Sequence, residues 1–224
     1  MNSIRSLKTI VFDFDGTIAD TLELGLNVYN RIAPEYNCQP VGEGERELFR
    51  TKKPQELLEA YGISKLKLLT LTLRIRKELN RHVPEMKLFD NMEKALHEIR
   101  DAGFGMGILT SNSVENVRRF LEINNLTALF DFIYSGRSFL GKDRVIRKMI
   151  IREQLPAGRI VYAGDETRDI EACRAAGIPV IAVSWGLNRR ELLASLFPDQ
   201  IADRPEELPD RLRQILRFKT ENRS

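Results

Sequence analysis

Cysteine, histidine and tryptophan are scarce: the 224 residues contain two, two and one of them. Cys38 and Cys173 lie far apart and lack metal-ligand spacing, so neither a disulfide framework nor a cysteine-held metal organises the chain. Cys173 falls in an apolar helical stretch, where it is expected as a small core residue. His82 and His97 have no partner in sequence and are expected at the surface. No run approaches the ~18 apolar residues of a membrane span. Met1 to Lys8 lack the apolar stretch of a secretory signal, so a soluble, cytoplasmic protein is expected. A dominant charge is also missing. The 35 basic and 32 acidic residues leave +3, and they are interspersed along the chain, which argues against a nucleic-acid partner.

The composition, 42% hydrophobic and 30% charged, is that of a globular protein with room for one domain and an inserted subdomain. Five short apolar runs recur: Ile10 to Phe12, Met106 to Leu109, Phe132 to Tyr134, Ile160 to Ala163 and Val180 to Val183. Such runs suit strands buried on both faces of a parallel sheet. Helical segments separate them, among them Asn91 to Ala102 before Gly103, and Thr167 to Ala176 before Gly177 and Pro179. The alternation implies a doubly wound, Rossmann-like α/β sheet.

More than ninety residues separate the first run from the second without a convincing strand. Leu22 to Ile32 and Pro54 to Tyr61 are predicted helices. Leu66, Leu69, Leu73 and Leu79 mark a longer amphipathic one from about Ser64 to Arg81. Residues 20–85 are therefore expected to form a helical cap subdomain, inserted into a core domain of residues 1–19 and 86–224. No internal repeat or low-complexity segment appears.

Chemistry gathers where the runs end. Phe12-Asp13-Phe14-Asp15-Gly16-Thr17 follows the first run, with two carboxylates two positions apart on one side of an extended backbone and a glycine that lets the chain turn. Two acids together at a strand end are costly without a cation, and oxygen-rich sites suit magnesium. A plain Asp-Gly turn is the alternative. Thr110-Ser111-Asn112 follows the second run and opens a helix, as an anion site or as a simple cap. Lys142 opens another helix. Gly164-Asp165-Glu166-Thr167-Arg168-Asp169 follows the fourth run, where an acidic first turn would also serve the helix dipole. Ligands in open α/β sheets bind beyond the carboxyl ends of the strands, where the winding reverses. Asp13, Asp15, Thr110 and Asp165 all fall at such ends. Gly103-Phe104-Gly105-Met106-Gly107 precedes its strand, which excludes a nucleotide fingerprint. Trp185-Gly186 is expected to pack a loop.

Asp13-Phe14-Asp15-Gly16-Thr17 with Asp20 nearby, Thr110, Lys142 and Gly164-Asp165 with Asp169 resemble, in order, the four motifs of the haloacid dehalogenase superfamily. The insertion resembles that family's helical cap, and the nearest branch is that of phosphoglycolate phosphatase and β-phosphoglucomutase. The resemblance implies a five-stranded parallel sheet in the order 3-2-1-4-5. It implies a phosphatase for small phosphate monoesters, in which Asp13 attacks phosphorus and Asp15 serves as acid and then base. Magnesium would be held by Asp13, Asp165 and the Asp15 backbone carbonyl. Thr110 and Lys142 would bind the phosphoryl oxygens. Phe14, Gly16, Thr17, Ser111 and Asn112 would line the substrate, with donors from amides near Phe14, Ser111 and Asn112. Asp169 would orient Lys142 or a metal-bound water, and Glu166 could support the metal. In the cap, Arg50 with Lys52 and Lys53 could reach a substrate carboxylate or second phosphate. The expected partner is a small phosphorylated metabolite, acting on a monomer or homodimer.

Two departures stand out: Thr21 replaces a common serine, and Asp143 follows Lys142 where phosphoglycolate phosphatases have proline. Asp15 argues against haloalkanoate dehalogenation, which needs no acid there. A phosphomutase would use the same residues, so the motifs do not separate it from a phosphatase. A non-catalytic binding protein on the same fold would be expected to have lost Asp13, Asp15 or Asp165.

Overall fold

The structure, a computed structural model, describes residues 8–53, 61–136, 141–156 and 158–221, with 56 and 59. The first apolar run forms β1 (Thr9–Phe12), buried throughout. It lies between β4 (Gly105–Thr110) and β6 (Ile160–Gly164), parallel to both, with Phe12 opposite Ile108 and Ala163. β5 (Phe132–Ser135) extends the sheet beyond β4, and β7 (Val180–Val183) beyond β6. The five expected strands thus keep the expected order, but a sixth joins them. β8 (Gln200–Ala202) pairs with β7, giving β5-β4-β1-β6-β7-β8. With three residues and one large apolar side chain it left no run to find.

A second correction concerns the stretch between the first two runs, which does contain strand. β2 (Ala19–Asp20) and β3 (Lys87–Leu88) pair antiparallel where the chain leaves the core and where it returns. A ribbon two residues long is too short to show alternation. Between them run α1 (Leu22–Ile32), the short α2 (Arg46–Thr51) and α3 (Lys65–Leu79). The helix expected over 54–61 lies largely outside the described residues.

α1 and α3 pack against each other on a face that keeps only part of the expected leucine stripe, Leu79 but not Leu66 or Leu73. Leu66 and Leu73 are 73% and 47% exposed, whereas Leu71, Glu78 and Leu79 are buried. Buried Glu78 is neutralised by three guanidinium groups: Arg31 on α1 at 3.3 Å, Arg74 at 2.9 Å and Arg81 at 3.2 Å. A buried carboxylate is tolerable when paired in this way.

The core helices α4 (Met92–Asp101), α5 (Val114–Ile123), α6 (Lys142–Arg152), α7 (Thr167–Ala176) and α9 (Leu208–Glu221) connect or flank the strands, with the short α8 (Arg190–Ala194) after β7. Ile10, Phe12, Val161 and Ile181 point into one core cluster, and Val11, Tyr162, Val180 and Ala182 into another. Each strand therefore buries both faces, which is why it appears as an unbroken apolar run. Among the described residues no helix is long and apolar enough to cross a membrane.

Candidate active site

The site forms where β1, β4 and β6 end side by side. Asp13 continues the β1 ladder, its N–H donating to the Ala163 carbonyl at 2.8 Å. The chain then coils under itself: the amides of Ile18 and Ala19 both donate to the Phe14 carbonyl at 3.0 Å. Gly16, with φ of 78°, makes the turn and brings the backbone against the Asp165 carboxylate, where a Cβ would collide. Asp13 and Asp15 line one pocket with Thr110, Ser111, Lys142, Glu166 and Arg168. The sequence-expected residues from four separate segments are thus brought together.

Their partners distinguish the two aspartates. Asp13 Oδ1 accepts the Phe14 N–H at 2.7 Å, and Oδ2 lies 2.5 Å from Lys142 Nζ. Lys142 also pairs with Asp169 and sits 5.2 Å from the centre of the Tyr162 ring. Burial by itself would lower the Lys142 pKa, but Asp13 and Asp169 together outweigh it and hold it well above the usual lysine range. Asp15 makes a different set of contacts. Its Oδ1 accepts the Thr21 hydroxyl at 3.0 Å, and Asn112 Nδ2 approaches its carboxylate at 3.4 Å.

Asp165 is 1% exposed. Its Oδ1 accepts the Thr17 hydroxyl at 2.9 Å and its Oδ2 the Leu187 N–H at 2.8 Å. Among the described residues no lysine or arginine pairs with it. Burial first, then the charges of Glu166, Asp13 and Asp169, push its pKa well above the usual carboxylate range. Asp169 is fully buried and accepts the Glu166 N–H at 3.0 Å. Its pKa is pushed up to about 6, raised by burial against the opposing pull of Lys142. One oxygen each of Asp13, Asp165 and Asp169 lie within 4.8 Å of one another. Hard carboxylate oxygens at this spacing, one of them lacking a cationic partner, fit a divalent metal. The Asp15 side chain is not one of this trio.

Thr110 accepts the Asn112 N–H on its own Oγ1 at 2.8 Å, which leaves its hydroxyl proton to donate into the pocket. The amides of Phe14 and Asn112, expected as phosphate donors, are here bonded to Asp13 and Thr110. Ser111 is exposed at the pocket mouth. Trp185 supports the loop, its indole N–H donating to the Thr17 carbonyl at 3.0 Å. Arg50 sits at the seam between insert and core, where its carbonyl accepts the Arg189 N–H at 2.9 Å.

Sequence reasoning missed a row of amides behind Asp15. Asn112 Oδ1 accepts from Asn116 Nδ2 at 2.9 Å, and Asn116 also bonds Asn80 at the return from α3. The spacing of four between Asn112, just before α5, and Asn116 in its first turn was the available signal. Arg168 pairs with Glu166 at the pocket wall. Beyond that wall a chamber of about 360 Å³ opens between insert and core. Thr21, Leu22, Leu26, Tyr29, Ile75 and Leu79 line it from the insert, and Asp15, Asp165, Glu166 and Arg168 from the core.

A parallel sheet with carboxylates, a lysine and a threonine at its carboxyl end, under a helical insert, defines a hydrolase that handles phosphoryl groups. Residues 10–183 match the family model described as haloacid dehalogenase-like hydrolase, and the chain belongs to that family. Within it the chain is a phosphatase. It is 32% identical to a phosphoglycolate phosphatase of Synechococcus elongatus over 94% of this chain and the whole of that protein. The fold is shared with the crystal structure of a predicted phosphatase from Clostridium acetobutylicum, with TM-score 0.79 and 22% identity over 93% of this chain and all of the other. It is shared too with CbbY from Rhodobacter sphaeroides in complex with phosphate, with TM-score 0.68 and 22% identity over 90% and 96% of the two chains.

Proposed function

We propose that the protein is a magnesium-dependent phosphatase that hydrolyses small phosphate monoesters through an aspartyl-phosphate on Asp13. The observation that carries this reading is the placement of two chemically distinct aspartates on one pocket. Asp13 is held by a cationic partner and a backbone amide, and Asp15 by a hydroxyl and an amide side chain.

An Asp13 carboxylate oxygen attacks phosphorus as the bond from phosphorus to the leaving oxygen breaks. Asp15, protonated, gives its proton to that oxygen. Asp15 then takes a proton from water, whose oxygen attacks phosphorus and releases phosphate and the free Asp13 carboxylate. Dividing one difficult displacement into two is the benefit of the covalent route. Lys142 and the Thr110 hydroxyl bind the phosphoryl oxygens and stabilise charge as it develops. Asp13 and Asp165, with the Asp15 carbonyl, would hold magnesium, which offsets the repulsion between a carboxylate and a phosphate. Asp169 keeps Lys142 in place.

Residues 20–85 act as a cap, and the chamber beneath it takes the leaving group. Phosphoglycolate, named for the Synechococcus relative, and sugar phosphates are the candidate substrates. The test is phosphate release from p-nitrophenyl phosphate and from these substrates, with magnesium and with EDTA. Magnesium-dependent turnover that Asp13→Asn abolishes in a folded protein is expected. Turnover persisting in Asp13→Asn would rule out the covalent route.

A further inference from the structure

The four residues Gly186 to Arg189, beyond β7, face two ways. Toward the core, the Leu187 N–H donates to Asp165 Oδ2 at 2.8 Å, and the Asn188 N–H to the Asp165 carbonyl at 3.2 Å. Asn188 Oδ1 accepts the Thr167 N–H at 2.9 Å, fixing the start of α7. Toward the insert, Asn188 Nδ2 donates to the Lys52 carbonyl at 3.5 Å and the Arg189 N–H to the Arg50 carbonyl at 2.9 Å. The Arg189 guanidinium pairs with Glu47 on α2. Lys53 reaches Glu171 on α7 at 3.5 Å as a second strut.

Asn188 is wholly buried, and a buried amide side chain is costly unless its groups are bonded. Here its two polar atoms join the metal-side loop to the insert. The segment has little freedom to shift by itself. A Cβ at Gly186 would collide with the Gly16 carbonyl and with Asp165, so the backbone already rests against both. Any movement of the insert that pulls on residues 188 and 189 is therefore passed to the carboxylate of Asp165.

We propose that residues 186–189 form a latch through which docking of the insert sets the cation affinity of Asp165, with Asn188 as the positioning residue. This rests on the reading that Asp165 holds a cation. Energetic coupling between two sites is reciprocal, so a docked insert tightens cation binding and a bound cation holds the insert docked by the same factor.

Glu47→Ala and Arg189→Ala test the latch from its outer end. Both side chains are about half exposed, at 51% and 49%, so their removal leaves the fold intact, and neither touches Asp165. Calorimetric titration of magnesium into each is expected to show about two- to five-fold weaker binding, the range an exposed ion pair can transmit. The charge-swapped pair, Glu47→Arg with Arg189→Glu, should recover the wild-type affinity. In wild type, magnesium should slow amide hydrogen exchange across residues 46–53, and Asn188→Ala should remove that response. Wild-type affinity in both single surface variants would overturn the latch, even if Asn188→Ala binds poorly or fails to fold. Exchange over 46–53 that ignores magnesium in a protein that binds it would overturn it too. A wild type that binds no magnesium would instead remove the cation reading on which the latch stands.

Discussion

The Lys142 ammonium lies 2.5 Å from Asp13 Oδ2 and at the same time pairs with Asp169, so one cation serves two carboxylates from segments far apart in the chain. Asp13 directly follows β1, Asp169 lies in the first turn of the helix after β6, and Lys142 begins α6. The ion pairs therefore lock together three segments that the chain supplies far apart.

Lys142→Met keeps the length of the side chain and removes its charge. Asp13 and Asp169 would then face each other across a buried space without a counter-ion. Breaking a buried pair from one side costs about 3–5 kcal/mol, and losing one donor to a developing oxyanion costs about 10²–10³ in kcat. The variant should show both a lowered urea midpoint without magnesium and a kcat reduced by that factor. Stability lost with kcat unchanged would make Lys142 structural only.

Gly16→Ala addresses the approach of the backbone to Asp165. The new methyl would strain a φ of 78° and press on the Asp165 carboxylate. Backbone strain of this kind costs about 1–3 kcal/mol. The expected outcome is a denaturant midpoint lowered accordingly, together with loss of the thermal shift that magnesium gives the wild type. A full magnesium shift in the variant would show that Asp165 is not the ligand.

The raised pKa values of Asp165 and Asp169 give a pH dependence with a definite sign. A carboxyl whose folded pKa lies above its unfolded value binds more protons when folded, so its contribution to stability falls as pH rises between the two. For Asp169 that window runs from the ordinary aspartate value of 3.8 to about 6. Protons and the cation also compete for the same cluster. The magnesium-induced rise in Tm should therefore be small near pH 5 and grow toward pH 8, with proton release on binding. A shift independent of pH across that range would contradict the cluster as the binding site.

Much of this site is visible in the chain because the sheet is parallel and buried on both faces. Each strand shows as an apolar run, and the residue after each run falls at the same edge. Asp13 and Thr110 follow from that rule, and Asp165 stands one residue further on. Lys142 does not, since it opens a helix several residues beyond its run and needs the family resemblance. Asn188 gives no sequence signal, because its role depends on a contact with the insert some 136 residues away. The α3 stripe holds only in part, at Leu79, for a physical reason: Glu78 takes a buried position that periodicity reserves for an apolar residue, since three arginines neutralise it.

Asp15→Asn separates the two halves of the reaction. The amide keeps the shape of the carboxyl and can still accept the Thr21 hydroxyl, but it neither gives nor takes a proton at the site. Loss of a positioned acid and base costs typically 10²–10⁴ in rate. With p-nitrophenyl phosphate the leaving group departs without a proton, so transfer to Asp13 should be less impaired than the hydrolysis that follows. The phosphorylated enzyme should accumulate and be visible as a heavier species in the intact mass after an acid quench. Adding Asp13→Asn to the same variant should remove that species. Turnover of Asp15→Asn at the wild-type rate would mean that the proton is carried by another group, and the division of roles between the two aspartates would be wrong.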